Sequence, residues 1–143
     1  MPSFTSHVSN LQSLGPVVEQ LQIAVGSAVE SALRRVGTRI PDPVLTTAMI
    51  DTGATVSVIR QGIPSQLGLN PVGVTHIHTP SSTNVACCEY VVRLVFPNNV
   101  VVETTVIEAP LQGQHIQCLI GRDVLAHGVL VYIGYGNLFS LSF

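Results

Sequence analysis

At 143 residues, with 46% hydrophobic and only 10% charged residues, the chain is one domain's worth of sequence with little charge to spread over a surface. A formal net charge of -2, no lysine and six arginines spread along the chain leave no basic patch for a phosphate backbone, which excludes nucleic acid as an expected partner. So low a charge content predicts that part of the surface is hidden, most simply against a second copy of the chain.

Residues 1–13 are polar and uncapped and read as a mobile start. From Leu14 the apolar positions change period, with Leu14, Val18, Leu21, Val25, Ala28 and Ala32 recurring at helical spacings. Pro16 suits a first helical position, Arg34 and Arg35 a last turn and Gly37 a stop, so the spacing predicts an amphipathic helix over 16–36, interrupted at Gly26. Such a helix is expected to pack on the domain or on a twin, and its polar face lacks the basic stripe of a membrane-surface helix. Thr38–Pro43, with prolines at 41 and 43, reads as a linker. This sets an N-terminal extension at 1–42 apart from a domain at 43–143.

Beyond the linker the rhythm is that of short strands, predicted over 44–50, 55–59, 73–79, 85–96, 100–108, 114–120, 129–133 and 138–143. Phe96–Val100 and Gly134–Asn137 read as hairpin turns. Gln61–Leu69 is expected to hold a helical turn or two, and Gly121–Gly128 a short helix with His127 in its last turn. The sum is a mainly β fold: a small closed barrel of antiparallel hairpins with one short helix, preceded by the longer one. No run is long and apolar enough to predict a membrane-spanning helix, and no secretory signal is visible. Three cysteines, of which Cys87 and Cys88 are adjacent, read as packed, reduced thiols, favouring a cytosolic-type compartment.

Two segments carry chemistry. Met49–Ile59 places one carboxylate, Asp51, at a break between two apolar runs, followed by Thr52, Gly53, Ala54 and Thr55. An acid there is costly to bury unless it is hydrogen-bonded or chemically used. An Asx-type turn alone also accounts for Asp51-Thr52-Gly53. The second segment, Leu119–Leu125, is an apolar strand that ends in Ile120-Gly121 and opens a helix on Arg122-Asp123. Alone, it reads as a helix N-terminus with Asp123 as cap and Arg122 as a surface charge. Together and in this order, Ile50–Ala54 and Ile120–Asp123 resemble the active-site loop and the hydrophobic-Gly-Arg-Asp/Asn run of retropepsin-like aspartic peptidases, over roughly residues 43–143.

That resemblance implies a retropepsin-like acid protease fold and assigns roles. Asp51 is the catalytic carboxylate, Thr52 braces twin loops across a dimer axis, and Gly53 leaves room for water and substrate. Ala54 and Thr55 supply a small wall and a supporting hydroxyl, while Gly121, flanked by Ile120, Arg122 and Asp123, lets its strand pass behind the loop. Hydrolysis by paired carboxylates needs two that share one proton, and aspartic proteases are the type case of that rule. The chain holds one Asp-Thr-Gly, so the second Asp51 must come from a partner. The expected protein is therefore a homodimeric endopeptidase, without cofactor or metal, active on extended, largely apolar peptide or protein segments and favoured by acidic pH.

The segment between 73 and 96 is the expected flap. Its tip, Thr79, Pro80, Ser81, Ser82 and Thr83, has no glycine, unlike retroviral flaps. This departure supports the alternative of a weak or inactive dimer used for peptide binding or assembly. Residues 138–143 are expected either to interleave between protomers, as that family's last strands do, or to form an edge strand of their own barrel. His76 and His78, with Cys87, Cys88 or His115, match no zinc spacing.

Overall fold

The computed structural model describes residues 1–78, 84–111 and 115–143. Its strands are β1 (Ser3–His7), β2 (Val17–Val25), β3 (Val44–Ile50), β4 (Val58–Arg60), β5 (Gly73–Ile77), β6 (Val85–Phe96), β7 (Val100–Ala109), β8 (Cys118–Ile120), β9 (Val129–Ile133) and β10 (Leu138–Ser142). Its helices are α1 (Leu11–Leu14), α2 (Ser27–Arg35), α3 (Ile63–Gln66) and α4 (Arg122–Leu125). The predicted flap tip, 79–83, lies outside the described residues, as does the start of the strand predicted over 114–120.

Alternation builds the long strands. In β6, Tyr90, Val92, Leu94 and Phe96 point inward while their neighbours face out, so one strand lines the core along its length. β2, β3, β8, β4, β7 and β6 are neighbours in that order, and β2 pairs back onto β6, closing a small barrel from which β5 extends as a hairpin partner of β6. Closure leaves no bare edge within the ring. Most neighbours are antiparallel, but β3 runs parallel to β8 and β4 parallel to β7. These two non-local pairings set the segment after β3 beside the segment after β8. The core they enclose includes Leu21, Ile23, Ile59, Leu94, Phe96 and Ile120, each burial worth about 1.5–3 kcal/mol.

The helix predicted over 16–36 is corrected in its first half. Residues 17–25 form β2, and only Ser27–Arg35 is helical. The reason lies between Val18 and Leu21, where the register against β3 shifts at a bulge or irregularity. One extra residue in a strand turns a two-residue alternation into a three-residue step, which mimics a helical period. Beyond the bulge Leu21, Ile23 and Val25 alternate inward as a strand does. Residues 1–13 are also corrected. β1 pairs with β10, and Phe4 is buried, its ring stacked on Phe96 at 5.4 Å and edge-on to Phe139 at 6.2 Å. β10 is neither an edge strand nor free to interleave, because it lies between β1 and β9 of its own chain, paired along five residues to each.

α2 buries none of its residues and is held by polar contacts. Glu103 accepts the Ser27 N–H at 2.6 Å and the Ser27 hydroxyl at 3.2 Å, while Arg93 donates to Glu30 and, at 2.9 Å, to the Val25 carbonyl. The Ser27 N–H above all, then its hydroxyl, holds the Glu103 carboxyl below its usual 4.5. A carboxylate depressed in the folded state stabilises above its unfolded pKa, and that contribution disappears as pH falls through the folded value. Glu103→Gln is therefore expected to lower the urea midpoint near neutral pH. The gap from wild type should close as pH falls through the folded value, below the usual 4.5; a gap that persists once the carboxylate is protonated would mean its charge is not what anchors α2.

Candidate functional site

Parallel pairing of β3 with β8 carries Asp51 and Gly121 out of adjacent strands side by side. The Asp51 N–H donates to the Ile120 carbonyl at 2.8 Å, continuing the ladder, and the chain then turns, with the Ala54 N–H bonded to the Asp51 carbonyl at 3.1 Å. Asp51 is half-buried; Thr52, Gly53 and Thr55 are exposed. Oδ1 of Asp51 accepts the Gly53 N–H at 2.9 Å, which fixes the rotamer of the carboxylate, while a Cβ at Gly53 would stand 3.1 Å from that same oxygen. One carboxylate oxygen is thus tied to the turn, and among the described residues no hydrogen bond is made to the other.

The second segment braces the first at three points. The Arg122 N–H donates to the Ala54 carbonyl at 2.8 Å, and its guanidinium donates to the Thr52 carbonyl at 2.8 Å and to the Thr55 hydroxyl at 3.3 Å. Arg122 holds the loop from its exposed side and is not an idle surface charge. Gly121 is needed for close approach: a Cβ there would lie 2.6 Å from the carbonyl carbon and 2.7 Å from the carbonyl oxygen of Val56, and 3.0 Å from the Ala54 oxygen. Asp123 turns inward, accepting the Ser57 N–H at 2.9 Å, the Ser57 hydroxyl at 2.8 Å and the Val124 N–H at 2.8 Å. It is not the cap expected from the sequence, since Gly121 holds that position and Asp123 lies in the first turn of α4; from there it ties that helix to the strand that leaves the loop.

Ser57 is the residue that sequence reasoning missed. It is fully buried, and its hydroxyl donates to Asp123 while accepting the Gly121 N–H at 2.9 Å. Its signal was a lone hydroxyl between Val56 and Val58, where a buried polar group needs a partner.

Beside the loop lies an open cleft of about 480 Å³. Gly53–Val56 and Val58, Ile107 of β7, and Thr75–His78 on and just beyond β5 line it. Among the described residues no Asp, Glu or Arg lines it. A slightly larger recess, about 530 Å³, lies among Arg39, Pro41–Leu45 and Gln66. Its one carboxylate, Asp42, is exposed and paired with Arg39 at 3.1 Å, so nothing there is poised for chemistry. Among the described residues no three His, Cys, Asp or Glu side chains gather as metal ligands. Cys87, Cys88 and Cys118 are free thiols, and burial pushes the Cys118 thiol far up.

The sequence profile of a family described as aspartyl protease matches residues 37–124. No curated protein matches the chain. Among solved structures, a retropepsin-like aspartic protease from Rickettsia conorii superposes with a TM-score of 0.52 at 12% identity, covering 100% of this chain and 95% of its own. The EIAV protease complexed with the inhibitor HBY-793 has a TM-score of 0.44 at 21% identity, covering 57% and 75%. The retroviral protease-like domain of Ddi1 from Leishmania major has a TM-score of 0.44 at 15% identity, covering 80% and 79%. The barrel described above is the retropepsin-like fold.

Proposed function

This chain belongs to the aspartyl protease family, and from that premise we propose that it is an endopeptidase active as a homodimer, with Asp51 of each copy forming the catalytic pair. The observation that carries the reading is a single carboxylate, braced by backbone bonds on a partly exposed loop whose next residues, Gly53–Val56, line an uncharged, largely apolar cleft. One such acid cannot serve as base and acid at once. Two brought together across a twofold axis cannot both ionise, so the pair keeps one proton. The ionised member draws a proton from a water held between them. The protonated member gives its proton to the scissile carbonyl oxygen as the water adds. Retaining that proton favours activity on the acid side of neutrality.

In this reading Thr52 and Gly53, exposed beside Asp51, meet their twins, while Gly121, Arg122, Asp123 and Ser57 hold each loop at the required position. The substrate lies extended in the cleft. Val56, Val58, Ile77 and Ile107 favour aliphatic side chains, because no charged group is available to compensate a buried charge. In the same reading the hairpin of β5 and β6, whose residues Thr75–Ile77 line the cleft, serves as the cover that keeps out bulk water.

Incubating the purified chain with a peptide library at acidic pH, with and without a statine-type transition-state mimic, tests the proposal. Cleavage between apolar residues that the mimic abolishes is the expected result. Peptides bound but never cut would instead favour a non-catalytic, peptide-binding dimer.

A further inference from the structure

The sheet of β1, β10 and β9 carries no formal charge, since every Asp, Glu and Arg of the chain lies between Glu19 and Asp123 and there is no lysine. Its middle strand is saturated on both sides. The outer side of β1 is met by the turn at 97–99, where the Asn98 amide donates to the Ser3 carbonyl at 2.9 Å. β9 differs. No other described strand pairs with its outer edge, and Val129, Val131 and Tyr132 are 51%, 46% and 50% exposed. Exposed edges are normally blunted by charge, proline or a bulge, and β9 has none of these.

We propose that the outer edge of β9 seats β9 of a second copy, antiparallel across the twofold axis, in place of an exchange of the chain's first and last strands; this rests on the paired-Asp51 reading above. Three observations select a second copy as the occupant. Contact about a twofold axis brings a surface against itself, so any charge there would repel its twin, and this sheet is the uncharged part of the molecule. Antiparallel edge pairing obeys that same symmetry, satisfying the free N–H and C=O groups of both strands at once. The edge is also continuous with the site. Only Ala126, His127 and Gly128 separate β9 from α4, whose first residue, Arg122, holds the Thr52 carbonyl. One short strand pair supplies only part of the ~800 Å² per partner that stable interfaces bury. The dimer is therefore concentration-dependent, and specific activity rises with protein concentration.

The test compares Val131→Lys with Thr5→Lys, a control on the opposite edge strand, by analytical ultracentrifugation and peptide cleavage across a concentration series. Val131→Lys is expected to raise the dimer dissociation constant at least about tenfold, because like charges meet across the axis. Cleavage should fall in step and return at higher protein concentration, while Thr5→Lys leaves both unchanged. Hydrogen exchange on the wild-type chain gives a second readout independent of folding changes: β9 amides should gain protection with concentration and β1 amides should not. An unchanged dimer in Val131→Lys, concentration-independent exchange in β9, or a wild-type chain monomeric at every concentration would overturn the docking. A persistent, active dimer in the first of these would leave the paired-Asp51 reading standing. A monomer that cleaves would overturn that reading as well.

Discussion

Asp51→Asn is expected to keep the fold and the dimer while lowering peptide cleavage by about a thousandfold or more, since proton transfer by positioned groups supplies roughly 10²–10⁴ of rate. The substitution is nearly isosteric. Asn retains an oxygen that can accept the Gly53 N–H, the bond now made to Asp51 at 2.9 Å. No described cation pairs with Asp51, so the fold loses no ion pair. What disappears is the ability to take a proton from water and return it. Circular dichroism and mass should match wild type; cleavage equal to wild type would reject Asp51 as the reacting group.

Mixing the two forms sharpens the test. If each site needs an Asp51 from both chains, a mixed dimer is inactive and activity follows the square of the wild-type fraction. An equal mixture then retains about a quarter of wild-type activity, against about half if each chain acts alone. A linear fall would exclude the shared site whatever the mass of the assembly.

Several parts of this molecule were legible because their physics is local. The alternation of Val85–Phe96 and the turns at 97–99 and 134–136 need only neighbouring residues to be read. β2 was not legible, because the step from Val18 to Leu21 has the same spacing in a bulged strand as in a helix. Phe4 was lost among polar neighbours, since its burial depends on Phe96 and Phe139, far along the chain. The parallel pairing of β3 with β8 is likewise non-local, and it brings Ile50–Thr55 and Ile120–Asp123 together. Both segments stand out by residue type, whereas Ser57 does not. A serine between two valines gains meaning only once Asp123 and the Gly121 N–H are placed around it.

Gly121→Ala tests whether that junction governs the loop. The added methyl would sit 2.6 Å from the Val56 carbonyl carbon and 3.0 Å from the Ala54 oxygen, both backbone atoms that cannot swing aside. Relief requires β8 and the start of α4 to move away from the loop. That movement strains the Gly121 N–H bond to Ser57 and the Arg122 N–H bond to Ala54. Overpacking commonly costs ~1–3 kcal/mol, and with two backbone bonds strained as well the upper part of that range is expected in urea unfolding. Gly26→Ala provides the contrast. Its nearest neighbours are the Val91 side chain at 3.0 Å and the Glu103 carboxylate at 3.4 Å, which can give way, so about 1 kcal/mol or less is expected. Activity per folded molecule should fall in Gly121→Ala and hold in Gly26→Ala, because a shift of the order of an ångström in catalytic geometry can cost about a hundredfold in rate. Equal stability loss and equal activity in the two variants would mean that Gly121 serves packing alone and that the loop is positioned by something else.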